Sequence, residues 1–386
     1  SRSGRNLRRI LVIPPGFAGG DLFGFGFCLF RNATRSSWGH VPPLVATRPR
    51  LGNQAVVRAR SGGRIGWIDG ARAIGALLVL VFHATQNVPV VGWINAHVIG
   101  FGRLGVLLLV MQGGYLIPRL MTDTEVAPAR FWVGRAIRFY PAYWAALAGY
   151  VTILAVTGDL VPNARTILLN ATYFPELFGA PFVMGSIWTM AFVLACYAAV
   201  TFGMIAFHRS TIFNAAVGGA LILIAISLVG LMLGKDPLNR LSVPCAFLAG
   251  TVLREARERG LAPRRWGLAL LATVMPVLVV IPSLLSGKFD PSGFAYVVVA
   301  LVAAIAIQIA LTWWNPEFPT ALRTLGGMSY SIYLAQAPVL LLFQHWSENL
   351  VTMAVRVGSS LLVGYALYRL VESPSSSFAR RWVRRK

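Results

Sequence analysis

The chain of 386 residues is 56% hydrophobic and only 12% charged, with a mean hydropathy of +0.65. A soluble globular domain carries about 25% charged residues, so the composition excludes an ordinary cytosolic enzyme, and the apolar content excludes intrinsic disorder. The net charge of +22 would suggest nucleic-acid binding in a soluble protein. Here arginine-rich stretches alternate with long apolar segments, which indicates a polytopic membrane protein with basic cytoplasmic loops and no nucleic-acid partner.

Residues 1–64 differ in composition from the rest of the chain. They carry many arginines and a single acidic residue, Asp21. Their apolar stretch is interrupted by Pro14, Pro15 and paired glycines, whereas a spanning helix needs about 20 mostly apolar residues in succession. We expect a flexible basic cytoplasmic tail, and a signal peptide or an extension of the reading frame that does not fold are the alternatives.

From Ile65 onward, apolar segments of spanning length repeat with short polar breaks. They lack the alternation of strands, and only helices and closed barrels can span lipid. The predicted fold class is therefore all-α, a polytopic transmembrane helix bundle with about ten spans that forms one domain over 65–375. A basic cytoplasmic tail is expected at 376–386. The predicted spans cover 73–93, 98–118, 139–157, 183–207, 212–233, 241–253, 266–286, 293–314, 325–345 and 350–370.

Lysine and arginine concentrate in alternate loops of this arrangement. The loops after the predicted second and sixth spans and the C-terminal tail are rich in arginine, and the loops between them are poorer. Cytoplasmic loops of membrane proteins carry an excess of these residues. The pattern predicts a multi-pass protein of the cell membrane, in contact with the lipid bilayer, with both termini in the cytoplasm.

Few ionisable residues fall within the predicted spans, where such groups are costly and usually functional. Arg72 and His83 are eleven residues apart, nearly three helical turns, so both lie on one face and about 16 Å apart along the axis. We expect Arg72, with Asp69, near the cytoplasmic surface and His83 near mid-membrane. An imidazole at that depth is suited to proton transfer. The alternatives are a snorkelling Arg72 and a His83 that hydrogen-bonds between helices.

Arg135 and Arg138 form a second cluster at the inner mouth of a predicted span. Two arginines one turn apart can hold a diphosphate through forked, charge-assisted hydrogen bonds, and an ordinary positive-inside anchor is the alternative. No nucleophile elbow and no phosphate-binding loop occur in the sequence. The three scattered cysteines form neither a metal-binding spacing nor a disulfide framework, so no metal is expected.

Six stretches, in this order along the chain, resemble the acyltransferase-3 family of integral membrane O-acyltransferases. The resemblance covers about residues 65–380 and excludes the N-terminal tail. The family modifies hydroxyl groups of glycans, oligosaccharides and macrolides. The stretches are Asp69–Arg72 with Val81–Ala84, Gly105–Ile117, Arg135–Tyr143, Gly185–Thr189, Gly326–Pro338 and Glu372–Pro374.

The resemblance implies a ten-helix enzyme that uses acyl-CoA on the cytoplasmic side and acts on a hydroxyl-bearing acceptor. His83 would act as general base or take the acyl group, and Arg72, next to Asp69, would orient the acyl donor. Arg135 and Arg138 would bind CoA. Four further residues are assigned to substrate binding from their depth, type and motif, and we expect them to line the reacting centre: Gln112, Tyr115, Trp188 and Tyr333.

Three positions depart from the family pattern. The stretch Gln112–Tyr115 stands where the family usually has Ser-Gly-Tyr/Phe, Val193 stands where it has glutamate, and Gln336 replaces a late histidine. Losing the glutamate is the most serious departure, because a carboxylate there can bind the acceptor or tune the base. Two other readings therefore stay open at this point: a transporter or flippase for an acylated glycan or lipid, and a catalytically silent relative.

Overall fold

The computed structural model describes residues 66–98, 100–122, 128–206, 238–260, 262 and 291–384. Within these ranges every regular element is helical and no strand occurs, which confirms the all-α prediction. The predicted N-terminal tail and the predicted spans 212–233 and 266–286 lie outside the described residues.

Twelve α-helices make up the described part of the chain. Two short 3₁₀ turns, Pro175–Phe178 and Gly185–Ile187, and one π-helical turn, Tyr368–Glu372, connect some of them. The helices are α1 Gly66–Thr85, α2 Pro89–His97, α3 Phe101–Thr122, α4 Pro128–Thr157, α5 Ala164–Asn170, α6 Trp188–Ala206, α7 Leu238–Glu258, α8 Pro291–Trp314, α9 Thr320–Gly327, α10 Ser329–Leu342, α11 Leu350–Leu367 and α12 Ser373–Arg384.

Five helical segments of the described residues are long and apolar enough to cross a membrane, and a sixth is added if α9 and α10 form one bent span. The axes of α9 and α10 differ by 68° at the break between them, so the predicted span 325–345 is not straight. The predicted first span, 73–93, is misplaced. Helix α1 begins at Gly66 and ends at Thr85, and Pro89 opens a separate helix, because proline is favoured in the first turn of a helix.

Helix α3 packs tightly against two neighbours because glycines remove the side chains between the backbones. A side chain at Gly105 would collide with the carbonyl of Gly75 in α1, and one at Gly114 would collide with the carbonyl of Phe247 in α7. Gly102 lies against the ring of Phe82, nearer the end of α1, so α1 and α3 run antiparallel. Small residues at such contacts are typical of membrane helix pairs.

The connection between α4 and α6 folds back along α4 instead of forming a simple loop. Three aromatic side chains of α4 donate hydrogen bonds to consecutive carbonyls at the end of α5, in residues 170–172: Tyr143 at 2.7 Å, Trp144 at 3.0 Å and Tyr140 at 3.2 Å. The next residue, Tyr173, is fully buried and stacks on Tyr143. The chain between these two helices is thus anchored to the middle of α4.

The C-terminal residues predicted as a tail form helix α12, which packs against α4. Gly134 of α4 lies against Val383. The π-helical turn before α12 places Glu372 inside the bundle, where the residue is only 1% exposed. Single π-helical turns occur frequently at functional sites, and this one lies beside the arginines of α4.

Candidate active site

Three arginines from two helices lie together at the start of α1. Arg72 of α1 interacts electrostatically with Arg138 of α4, and Arg135 interacts with both. The sequence placed these residues on separate spans, and the structure brings them together. All three side chains are half-buried, although like charges repel one another in such surroundings.

Two carboxylates partly compensate this positive charge. Asp69 Oδ1 is 4.0 Å from a guanidinium nitrogen of Arg72, and Glu372 Oε1 is 4.0 Å from one of Arg138. Glu372 is itself held by Ser331, whose hydroxyl donates a hydrogen bond of 2.6 Å to Oε2. We call the three arginines with Asp69 and Glu372 the cationic cluster, and its net charge is positive.

Aromatic rings support the guanidinium groups of the cationic cluster. The Arg135 guanidinium lies over the rings of Phe131 at 5.1 Å and Tyr197 of α6 at 5.8 Å, an arrangement that stabilises a cation. The Nε of Arg138 is buried, and it has no hydrogen-bond partner among the described residues. The cluster therefore combines surplus positive charge with an unused donor, which is what recognition of a phosphate requires.

His83 lies in the last turn of α1, at the other end of the helix from Arg72. The predicted span 73–93 would have put it at the middle of a helix. Its ring is half-buried, packs edge-on against Phe82 at 4.9 Å and hydrogen-bonds to the side chain of Gln86. The eleven residues between Arg72 and His83 correspond to about 16 Å of helix.

A group of hydroxyls and aromatic rings is formed by residues of α3, α10 and the segment Ser186–Thr189. The Tyr333 hydroxyl of α10 donates to the carbonyl of Ser186 and hydrogen-bonds to the hydroxyl of Thr189. The Arg103 guanidinium lies 5.2 Å over the Trp188 ring and interacts electrostatically with Tyr333. We call these five residues the Tyr333 cluster. Arg103 follows Gly102, which lies against Phe82 of α1. Tyr333 follows Ser331, which binds Glu372 of the cationic cluster, by two residues.

The four predicted substrate-binding residues do not share one environment. Trp188 and Tyr333 belong to the Tyr333 cluster. Gln112 is fully buried and donates a 2.7 Å hydrogen bond to Gln308 of α8. Tyr115 packs edge-on against Trp67, near the start of α1 and hence near the cationic cluster.

Sequence reasoning missed four residues of these clusters. Glu372, Ser186 and Thr189 were quoted only as parts of motifs, and Arg103 was not assigned to any site. A charge inside the apolar sequence of α3 was the available signal for Arg103. Val193, where the family has glutamate, packs against the main hydrophobic core. Within the described ranges, no group of three or more potential ligands is arranged to hold a metal ion.

The family model described as an acyltransferase domain (acyltransferase-3) matches residues 65–369. The chain therefore belongs to the acyltransferase-3 family, a family of membrane acyltransferases.

One curated relative is named "Putative peptidoglycan O-acetyltransferase YrhL", from Bacillus subtilis (strain 168). It is 25% identical to this chain over 321 residues, which cover 71% of this chain and 48% of the relative. The chain thus spans about half the length of the curated relative that it matches. No solved structure matches the chain.

Proposed function

We propose that the protein transfers an acetyl group from cytoplasmic acetyl-CoA to a hydroxyl group of a sugar, glycan or glycosylated small molecule. The observation that supports this most strongly is the pairing of the cationic cluster with His83 about 16 Å away along α1. Acetyl-CoA has its groups in the matching order: its phosphates lie at one end, its thioester lies at the other, and the pantetheine arm lies between them.

In this proposal the cationic cluster binds the donor. Arg135 and Arg138 pair with CoA phosphates through forked hydrogen bonds, and Arg72, oriented by Asp69, completes the phosphate site. Glu372 sets the position of Arg138, and the π-helical turn that carries it makes the pair rigid. Because the cluster holds more positive than negative charge, an added polyanion relieves repulsion among the arginines.

Two of the predicted substrate residues belong to the donor side. Gln112 keeps a buried Oε1 without a partner among the described residues, and an amide N–H of the pantetheine arm is a suitable donor to it. Tyr115, close to Trp67, lines the same side. Trp188 and Tyr333 belong to the acceptor side, near His83.

The chemistry assigned to His83 is proton transfer. Its imidazole removes the proton of the acceptor hydroxyl as the oxygen attacks the thioester carbonyl. The C–O bond forms, the C–S bond breaks, and the proton leaves with the CoA thiolate as the free thiol. A variant of the same chemistry has His83 take the acetyl group first and pass it to the acceptor.

We further propose that the cationic cluster lies at the cytoplasmic side of the cell membrane and that both termini are cytoplasmic. The arginines of α12 and the arginines after Thr251 in α7 support this orientation, because basic residues accumulate on the cytoplasmic side. CoA is found in the cytoplasm, so the orientation and the donor agree.

The test uses purified protein in nanodiscs with acetyl-labelled acetyl-CoA and a sugar acceptor. Wild type is expected to release CoA and label the acceptor. His83→Ala should bind the donor without transfer, and Arg135→Ala with Arg138→Ala should lose donor binding. A protein that moves an acylated glycan across the bilayer with His83 replaced, and never turns over acetyl-CoA, would instead be a transporter.

A further inference from the structure

Gln336 of α10 is a buried amide without hydrogen-bonding partners. The residue is 1% exposed, and neither its Oε1 nor its Nε2 is paired among the described residues. Burying an amide unpaired is costly, so each such group in a folded protein calls for a specific explanation.

A second unpaired group is connected to Gln336 through Tyr333. Gln336 follows Tyr333 by three residues, so the two side chains are neighbours on one face of α10. The Tyr333 hydroxyl donates to the carbonyl of Ser186, and the Ser186 hydroxyl is itself buried without a partner among the described residues. An unpaired amide and an unpaired hydroxyl thus flank the same tyrosine.

The chemistry of these two groups defines what they can hold. The amide offers one acceptor and two N–H donors, and the serine hydroxyl donates and accepts. Neighbouring hydroxyls of a sugar ring offer the complementary set, because each hydroxyl both donates and accepts.

We infer that Gln336 and Ser186 bind the acceptor as a sugar through its ring hydroxyls, next to the Tyr333 cluster. This inference rests on the proposed function and names the acceptor side of the same enzyme. It also gives Gln336 a purpose that differs from that of a histidine at this position: the amide is neutral at every pH, so it binds a hydroxyl without competing with His83 for protons.

The test measures sugar binding separately from acyl transfer. The probe is the disaccharide of N-acetylglucosamine and N-acetylmuramic acid, titrated against protein in nanodiscs without acetyl-CoA. Gln336→Leu and Ser186→Ala are each expected to weaken binding at least tenfold. Ser360→Ala is the matched control, because the Ser360 hydroxyl of α11 is also buried without a partner among the described residues. This variant should bind the disaccharide as wild type does.

Thermal unfolding of the same proteins excludes a trivial effect of misfolding. Gln336→Leu keeps the side-chain volume and removes an unpaired amide, so its melting temperature should equal or exceed that of wild type. A purely structural Gln336 would give the opposite result, a lower melting temperature with unchanged affinity. Wild-type affinity in Gln336→Leu, or no binding by wild type, overturns the inference. Sugar binding by a wild type that never turns over acetyl-CoA would instead overturn the proposed function.

Discussion

The two ends of α1 are built from different chemistry. At the start, arginines and carboxylates surround Arg72 and are held by ion pairs and aromatic rings. At the end, His83 packs against Phe82, and the Tyr333 cluster adds hydroxyls and aromatic rings together with Arg103. The first environment is suited to binding a charged donor and the second to binding a neutral acceptor. A single helix thus carries the two halves of a transfer reaction.

The largest effect is expected from His83→Ala. General-base catalysis contributes about 100- to 10 000-fold to a rate, so acetyl transfer should fall by that factor while donor binding is unchanged. The measurement is the rate of CoA release in nanodiscs. His345→Ala is the control, since His345 lies in an exposed loop and hydrogen-bonds to Gln344. Equal rates of CoA release in wild type and His83→Ala would show that His83 is not the base, and the assignment of transfer chemistry to this end of α1 would be wrong.

The second prediction concerns the charged end of α1. Hydrogen bonds to charged groups contribute about 1.5–3 kcal/mol each, so Arg138→Ala should raise the KM for acetyl-CoA roughly 10- to 100-fold. The comparison donor is acetyl-pantetheine, which lacks the nucleotide phosphates. Wild type should strongly prefer acetyl-CoA, and the variant should lose most of that preference.

Arg165→Ala is the control for this prediction, because Arg165 is an exposed residue at the start of α5. It should leave the preference for acetyl-CoA unchanged. If the KM for both donors rose equally in Arg138→Ala, the arginine would have a structural role and the cationic cluster would not bind the phosphates of CoA.

The sequence was sufficient to predict much of the fold, and the reasons are physical. Long apolar segments must become helices in lipid, so the all-α class followed from composition. The arginine pair of α4 was visible because its spacing is local. Its approach to Arg72 was not, since contacts between helices depend on packing. The glycines at positions 105 and 114 became interpretable only when their partners in α1 and α7 were known.

Two features were beyond any local pattern. The connection between α4 and α6 looked like a loop, and its anchoring rests on hydrogen bonds from Tyr140, Tyr143 and Trp144, which the sequence gives no means of pairing. The misplaced start of the first span put His83 in the middle of its helix. The helix begins at Gly66, seven residues before the predicted span, because charged residues are tolerated in a helix that a neighbouring helix covers. The charges of Asp69 and Arg72 made this first part look like a loop in the sequence.

The third prediction tests whether α3 holds the two ends in register. Gly114→Ala would place a methyl group against the Phe247 carbonyl, and overpacking of this kind typically costs about 1–3 kcal/mol. A lower melting temperature is expected, with reduced transfer and no change in the ratio of the two donors. Gly149→Ala is the control, because nothing lies within 4 Å of a side chain there. Equal stability of both variants would contradict the close contact of α3 and α7.

The smallest expected effect is on stability and concerns a charged pair beyond the end of α1. This pair tests whether charge at that end takes part in the reaction. Arg356 of α11 donates a 2.7 Å hydrogen bond to Glu348, which also accepts one from Asn87. The Arg356 guanidinium lowers the pKa of Glu348, so the pair stabilises the protein at neutral pH. That contribution is lost as the pH falls through the lowered pKa, below about 4.3, the ordinary value for glutamate. Glu348 is partly exposed, so the effect is small.

Glu348→Gln should therefore lower the melting temperature slightly at pH 7 and not at pH 3, as measured by thermal unfolding over that range. Acetyl transfer at pH 7 should stay close to that of wild type, because this pair joins α11 to the loop before it and does not belong to either cluster. A large loss of transfer in Glu348→Gln with an unchanged melting temperature would mean that a carboxylate acts at the His83 end after all. Glu348 would then do what the family's glutamate does at the position of Val193, and the acceptor side would use a carboxylate.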